Sequence, residues 1–110
     1  MYVFQKTICV SQASQRAYDS RYSGKRVRQA VLKALAEGPA PVVLDFKDVD
    51  FVAPGFADEL VGVLVYNQGL PWLEQHIRLV NLDPDVGDDI QQAIRWRQRL
   101  RDQHRAVAGV

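Results

Sequence analysis

The chain has 110 residues, of which 47% are hydrophobic and 25% are charged, so it is long enough for one hydrophobic core and too short for two. Its 14 basic and 13 acidic residues leave a net charge of +1, which excludes the overall field of a general nucleic-acid or membrane binder. The single cysteine, Cys9, excludes an internal disulfide, and no apolar window approaches the roughly 20 residues of a membrane span, so we expect a cytoplasmic protein.

The N-terminal part of the chain predicts a strand followed by a long connection. Alternating apolar residues predict a first strand over residues 2–10. Residues 11–23 are polar and predict a connection, which either lacks regular structure or contains a short strand near Ala17 and Tyr18.

A helix and a buried strand follow. Apolar residues at helical spacing predict a helix over residues 24–37, with Ser23 as its N-cap and Gly38 after its last residue. The continuous apolar run at residues 41–46 is typical of a strand buried on both faces, and we expect it to continue into residues 49–52.

A corner at residues 53–55, with the sequence Ala-Pro-Gly, leads from this strand into an apolar helix. The helix begins near Phe56 and ends at Gly69, and its wide apolar arc predicts burial on more than one side. Gly62 costs about 1 kcal/mol relative to alanine inside a helix, so we expect another backbone to approach closely there. Residues 70–76 are interpreted as a turn.

The last part of the chain predicts a strand and a long helix. The strand covers residues 77–82, and the helix begins with Asp83 as its cap and Pro84 as its first residue. We expect residues 106–110 to fray. The order of elements predicts a single α/β domain over residues 1–110, with a small mixed sheet, crossover helices packed on it, and one such crossover joining the last two strands.

Familiar catalytic and metal-binding signatures are missing. The chain has no G-x-G-x-x-G motif, and the Gly-Lys pair at residues 24–25 lacks the other residues of a phosphate-binding loop. His76 and His104 have no second histidine or cysteine at ligand spacing, so we expect neither a zinc site nor another cofactor. No set of residues forms a catalytic constellation.

The corner also lacks a hydroxyl nucleophile. All serine and threonine residues lie near the N-terminus, namely Thr7, Ser11, Ser14, Ser20 and Ser23. A serine nucleophile or a phosphorylated serine or threonine therefore cannot lie at residues 53–55.

Two stretches carry a resemblance to a known family. The stretches VVLDFKDVDFVAPGFADELVG and IRLVNLDPDVGDDIQQAI resemble the STAS-like domain family of unknown function (DUF4325), most clearly in LDFKDV and FADEL. SRYSGKRVR also resembles the family's Ser-Arg-x-x-Gly start of the first helix. The likeness covers roughly residues 20–95 and implies the small α/β fold expected above.

Through this family the chain is more distantly similar to the STAS anti-sigma factor antagonists. Those proteins bind a histidine-kinase-like ATPase and are phosphorylated on a serine of a D-S-S-G motif at the same corner. In this chain the motif falls on Ala53, Pro54, Gly55 and Phe56, which leaves no phosphate acceptor. The resemblance thus implies a binding surface without the phosphoserine switch.

Asp58 and Glu59 follow the corner and allow two interpretations. As residues of the first helical turn they stabilise the helix through its dipole, by about 0.3 to 1 kcal/mol each. Alternatively they present a recognition surface, paired with Arg21 or Arg28 of the preceding helix.

Polar residues near the strand ends suggest a second candidate site. Asp45 either bonds the turn that follows its strand or serves a site at the carboxyl edge of the sheet, where α/β proteins usually bind ligands. Asn81 lies near the end of the next strand, and Arg21 is a further candidate ligand-binding residue.

The C-terminal helix is rich in arginine, and its arginines allow two interpretations. Its basic residues are Arg95, Arg97, Arg99, Arg101 and Arg105. Acids at the start of the helix and bases at its end match the helix dipole, which favours a solvated helix. Nucleic-acid binding is less favoured, because alternate arginines point to different sides of a helix. We expect Trp96 to cover the core or a partner.

These observations favour a non-enzymatic interaction module of bacterial signalling or regulation. We expect a protein partner at the corner, and its residues would be Ala53, Pro54, Gly55, Phe56, Asp58 and Glu59. The family resemblance implies a histidine-kinase-like ATPase as the partner class. The alternatives are nucleotide binding near Asp45, Asn81 and Arg21, and nucleic-acid binding by the last helix. A homodimer is also expected, because a broad apolar helix and two tryptophans leave surface to cover.

Overall fold

The computed structural model describes residues 5–108, in which helices and short strands alternate along the chain. In chain order the segments are β1 (Thr7–Cys9), α1 (Val10–Ala13), α2 (Arg21–Glu37), β2 (Val42–Asp45), α3 (Pro54–Ala57), a π-helical turn (Asp58–Gly62), α4 (Val63–Gln68), α5 (Leu70–His76), β3 (Ile77–Val80) and α6 (Pro84–Ala108). The backbone stays in the right-handed helical region at both joints of the π-helical turn, so residues 54–68 form one continuous helix.

The sheet is small, and β2 is its central strand. β2 pairs in parallel with β1 on one side and with β3 on the other, so that Leu44 lies opposite both Ile8 and Leu79. Val42 and Leu44 on one face are completely buried and Val43 on the other face is 9% exposed, which confirms a strand covered on both faces. The α/β class and the helical crossover between the last two strands are confirmed. In residues 5–108 every strand pairing is parallel, so the mixed sheet that we expected is not seen there.

The continuous helix at residues 54–68 packs against both α2 and α6. Its fully buried side chains include Phe56, Leu60, Val61 and Val65. Full burial of such side chains contributes about 1.5 to 3 kcal/mol each. The predicted burial of this helix on more than one side is confirmed, and the helix is the centre of the packing that surrounds the corner.

The N-terminal strand and the connection after it differ from the sequence predictions. β1 ends at Cys9 because Val10 begins the short helix α1 and is itself buried. Residues 2–4 of the predicted strand lie outside the described residues. Ala17 and Tyr18 do not form a strand, although the Tyr18 carbonyl accepts one hydrogen bond from the Ala53 N–H (2.8 Å). That bond ties the connection to the corner.

α2 begins earlier than predicted. Its first residue is Arg21, and its N-cap is Ser20, whose Oγ accepts a hydrogen bond from the Ser23 N–H (3.1 Å). Ser23 was therefore wrongly identified as the cap and lies inside the first turn. The end of the helix at Glu37, before Gly38, is confirmed.

The segment at residues 49–52 is a loop and does not continue β2. The Lys47 N–H donates to Asp45 Oδ1 (2.9 Å), and Asp48 adopts a positive φ of 64°, so the chain turns away from the sheet. Val49 and Val52 are nevertheless buried, because their side chains enter the core from the loop. Their alternation with polar residues imitates the pattern of a strand.

Three further differences concern the second half of the chain. The interpretation of residues 70–76 as a turn was wrong: Gly69 has a φ of 96°, which separates α4 from a new helix, α5, whose Leu73 enters the core. β3 ends at Val80. The start of α6 at Pro84 is confirmed, but α6 continues to Ala108, so fraying from residue 106 is not seen. Residues 109–110 lie outside the described range.

Candidate functional site

The corner is built without a side-chain cap. Ala53 is the N-cap of α3, Pro54 is its first residue, and the Ala53 carbonyl accepts the first helical hydrogen bond, from the Ala57 N–H (3.1 Å). Proline has no backbone N–H, so it leaves one fewer donor that a cap would have to satisfy. Pro54 is exposed, and Ala53 and Gly55 are half-buried. These three residues therefore present backbone and small side chains to solvent.

Phe56 does not lie on this surface. Its side chain is completely buried and packs edge-on against Tyr18, with ring centroids 6.0 Å apart. The expectation that Phe56 contacts a partner is corrected, because the ring of Phe56 points from the first turn of α3 into the core.

Asp58 is also buried, and two arginines neutralise it. Arg97 binds its carboxylate with two parallel bonds, from Nε to Oδ1 and from Nη2 to Oδ2, both 2.7 Å long. Arg21 Nη1 donates to Oδ2 at 2.7 Å. Burial by itself raises the pKa of Asp58, but the hydrogen bonds from Arg97 and Arg21 outweigh burial and hold the pKa below its ordinary value. With 4% of its surface exposed, Asp58 stabilises the domain and cannot be a freely accessible recognition residue.

Glu59 continues this charge network towards α2. Arg28 donates to the Glu59 carbonyl and to Glu59 Oε1 (3.2 Å), and Arg21 donates to Oε2 (3.1 Å). The pairing of these acids with Arg21 or Arg28 is confirmed, since both arginines take part. Asp58 and Glu59 lie beyond the first turn of the continuous helix that starts at Pro54, where the dipole has largely lost its effect.

The position of Gly62 leaves no room for a side chain, because Asp58 folds over it. A Cβ at Gly62 would collide with Asp58 Oδ1 and would lie 2.9 Å from Arg97 Cγ. The sequence led us to expect a close backbone, whereas the close neighbours are two side chains. The π-helical turn over Asp58–Gly62 is a local widening of the kind often found at functional sites.

A groove of about 260 Å³ lies beside the corner. Its lining, which we call the corner groove, consists of Arg21, Pro54, Gly55, Asp58, Asp89, Gln92, Ala93 and Trp96. Trp96 is 46% exposed, which is unusual for so large an apolar side chain. The corner groove therefore joins the predicted partner-binding corner to the middle of α6.

A wider cleft lies at the carboxyl edge of the sheet. This edge cleft has a volume of about 880 Å³ and is lined by residues 46–50 and 81–83. Beside it, Asn81 Nδ2 donates to Asp45 Oδ1 (2.9 Å), and this bond together with the Lys47 N–H lowers the pKa of Asp45. Asp45 and Asn81, which we placed near the same edge of the sheet, are thus bonded to each other, and Asp45 also bonds the turn after its strand. Arg21 does not join them, because it lies in the corner groove.

The arginines of α6 do not form one surface. Arg97 is bonded to Asp58 and stacks over the rings of Tyr66 and Trp96, with its guanidinium carbon 5.7 Å and 5.0 Å from the two centroids. Arg101 Nη1 donates to the Tyr66 carbonyl (2.7 Å). Sequence reasoning grouped Arg97 with the solvated arginines and missed its internal role. Its spacing of seven residues from the buried Ile90 could have placed it on the inner side of the helix.

Two other features, a metal-binding cluster and a membrane-spanning helix, are absent from residues 5–108. There, no group of three or more His, Cys, Asp or Glu side chains is arranged to hold a metal ion. Among the helices described, none is both long enough and apolar enough to cross a membrane.

Comparison with known proteins identifies the family. A family model described as a STAS-like domain of unknown function (DUF4325) matches residues 23–87, which include α2 from its third residue, the sheet strands β2 and β3, and the corner. No curated protein and no solved structure matches the chain. Because the family model covers more than half of the 110 residues, the chain belongs to the family of STAS-like domains of unknown function.

Proposed function

We propose that this chain is a non-enzymatic protein-interaction module of bacterial signalling or regulation, which docks a partner protein at the corner groove. The observation that carries the proposal is the exposure of Trp96 beside Pro54 and Gly55. Tryptophan is enriched among the residues that dominate binding energy at interfaces, and such residues cluster near the centre of an interface, where a partner removes them from water. The partner class that the family resemblance implies is a histidine-kinase-like ATPase.

The charge network beneath the groove supports a docking role. Asp58 is held by Arg97 and Arg21, so the floor of the groove is fixed before any partner arrives. A surface that is already ordered loses little conformational entropy on binding. The Arg21 side chain is 57% exposed, so its guanidinium can still donate to a carboxylate of a partner.

Two other functions, nucleic-acid binding and a phosphoserine switch, have less support. Nucleic acid would need a continuous basic face, and both Arg97 and Arg101 are engaged inside the domain. A phosphoserine switch at the corner would need a hydroxyl, which Pro54 and Gly55 lack.

The proposal is tested by affinity purification with two glycine variants. Gly55→Arg fills the corner groove, and Gly87→Arg introduces the same side chain on α6, where a Cβ meets nothing within 4 Å. We expect an ATPase of the stated class to co-purify with the wild type and with Gly87→Arg, and to be lost with Gly55→Arg. Absence of such an ATPase, or its equal retention by a folded Gly55→Arg variant, would contradict the proposal.

The second candidate function is binding of a small ligand such as a nucleotide in the edge cleft. The supporting observation is the cleft of about 880 Å³ at the carboxyl edge of the sheet, where α/β proteins usually bind ligands. A nucleotide that binds there should raise the melting temperature of the wild type and of Gly55→Arg, because it binds only the folded state. Leu82→Arg, which narrows the edge cleft, should abolish the shift. A panel of nucleotides without any shift would count against this function.

A further inference from the structure

The middle of α6 carries two exposed arginines, Arg95 and Arg99, that form no ion pair in the described residues, although Asp102 lines a surface groove with both of them. Arg95 and Arg99 lie four residues apart on one side of the helix, where like charges repel. Within the described part of the chain, neither has an acidic partner within 4 Å. Both lie more than two turns before Ala108, so the negative end of the helix dipole does not stabilise them.

Two acids nearer the start of α6 are equally unexplained. Asp88 and Asp89 lie beyond the first turn, which contains Asp85, so the positive end of the dipole has little effect on them. In residues 5–108, no arginine, lysine or histidine lies within ion-pair distance of either carboxylate. The acidic and basic pairs are thus separated by about one and a half turns of the same helix.

The same side of α6 is partly apolar. Residues spaced three or four apart share one side of a helix, and this side contains Asp88, Asp89, Gln92, Arg95, Trp96, Arg99, Gln103 and Val107. Trp96 is 46% exposed and Val107 is 76% exposed. The opposite side of the helix is occupied by the core, through Val86 and Ile90. The exposed side therefore has an apolar centre with acids before it and bases around and after it.

We propose that this side of α6 pairs antiparallel with α6 of a second copy of the chain. An antiparallel pair with its two-fold axis between Gln92 and Trp96 brings Asp88 and Asp89 of one copy to the level of Arg99 of the other, with Arg95 of the other copy on the same flank as Asp88. The two-fold axis generates each contact twice, so the acids of each copy face the arginines of the other. Trp96 of each copy then packs at the centre, against Gln92 and Trp96 of the other, and loses its exposed surface.

The pairing goes beyond the proposed function, since it requires neither an ATPase nor the corner. Trp96 belongs both to the helix pair and to the corner groove, so a partner docked on Trp96 competes with self-association. The two proposals can fail independently. The helix pairing is tested by the mass of the protein in solution, whereas the docking function is tested by retention of the ATPase in Gly55→Arg.

Complementary charge reversal tests the pairing. One variant carries Arg95→Glu and Arg99→Glu, and the other carries Asp88→Lys and Asp89→Lys. Each double variant alone places like charges opposite each other and is expected to raise the dimer dissociation constant by at least about a hundredfold. An equimolar mixture of the two restores opposite charges at every contact and should form a heterodimer. Lys25→Glu with Lys33→Glu on α2 changes the net charge as much as the first variant and should leave the dimer intact.

The mass in solution is measured by sedimentation over about a hundredfold range of concentration, because a homodimer dissociates on dilution. Circular dichroism verifies that each variant is folded. A wild type that dimerises, two monomeric variants and a mixed heterodimer support the pairing. A monomeric wild type at every concentration, a dimer that both reversals leave unchanged, or a mixture that stays monomeric would overturn it. The mixture keeps the test decisive, since recovery of the dimer cannot arise from variants that fail to fold.

Discussion

Replacement of Gly62 by alanine should destabilise the domain, although alanine is the better helix former. The added Cβ collides with Asp58 Oδ1, which folds over Gly62 to reach Arg97. The backbone there is helical, with a φ of −60°, so the effect is not one of backbone strain. The carboxylate has to move, and its two parallel bonds to Arg97 lengthen or break.

The magnitude follows from two opposing contributions. Alanine in place of glycine stabilises a helix interior by about 1 kcal/mol. Loss of one partner from a buried ion pair costs about 3 to 5 kcal/mol. The Arg97 side chain is 20% exposed and can recover some hydration, so we take the lower end of that range. The free energy of unfolding should therefore fall by about 2 kcal/mol, which for a domain of this size lowers the melting temperature by roughly 8 °C.

Urea unfolding of four variants separates the clash from other effects. Gly87→Ala is the matched control, because a Cβ there meets nothing within 4 Å, and it should stabilise the domain by about 0.5 to 1 kcal/mol. In an Asp58→Ala background, Gly62→Ala should cost less than in the wild type, because the colliding oxygen is gone and only the contact of 2.9 Å with Arg97 Cγ is left. The reasoning is refuted if Gly62→Ala leaves the stability unchanged or costs as much without Asp58 as with it, since a double-mutant cycle would then show no coupling.

Two further predictions concern the same helices. Because its pKa is lowered in the folded state, Asp58 stabilises the domain above about pH 4, the ordinary aspartate value, and this contribution is lost as the pH falls through the lowered pKa. The difference in unfolding free energy between the wild type and Asp58→Asn should therefore narrow between pH 6 and pH 3. A difference that stays constant over this range would contradict the ion pair's role. Gly24→Ala should lower the free energy of unfolding by about 1 to 3 kcal/mol, because its Cβ would lie 2.5 Å from the Phe56 carbonyl oxygen, where α2 meets α3. Thermal unfolding measures the change, and a variant as stable as Gly87→Ala would contradict the prediction.

Local signals in the sequence predicted most of the regular structure. The Asp83-Pro84 pair marked the start of α6, because a cap and a proline act within one turn of each other. The apolar run of β2 identified a strand covered on both faces. Such signals depend on neighbours in the chain, so they can be read without knowledge of the fold.

Predictions failed where a distant contact decided the conformation. Val49 and Val52 alternate like strand residues, but they fill the core from a loop whose direction is set by Asp45 and Asp48. Periodicity reports which side chains are buried and cannot report whether a strand or a loop carries them. The helix α5 was missed because Gly69 resembles a terminal glycine, whereas it only separates two helices.

The candidate site was predicted only in part, because distant contacts also decide which of its residues are accessible. Pairing of Asp58 and Glu59 with the arginines of α2 follows from their opposite charges and was anticipated. The role of Arg97 was not, because 39 residues separate it from Asp58 and only the packing of α6 brings the two together. Burial of Phe56 and Asp58 moves the accessible part of the corner to Pro54, Gly55 and the adjoining Trp96.

Gly55 stands where the resemblance to STAS antagonists expects a serine, and the structure supplies a physical reason for a small residue there. A Cβ at Gly55 would lie 3.0 Å from Cγ of Arg21, so any side chain would displace the stem of that arginine by a few tenths of an ångström. Arg21 crosses this position to reach both Asp58 and Glu59. A serine would therefore compete for space with the arginine that joins α2 to the centre of the domain. At this corner the side chain of Arg21 occupies the region that a hydroxyl would otherwise present to a kinase, which favours the docking surface that we propose over a phosphorylation switch.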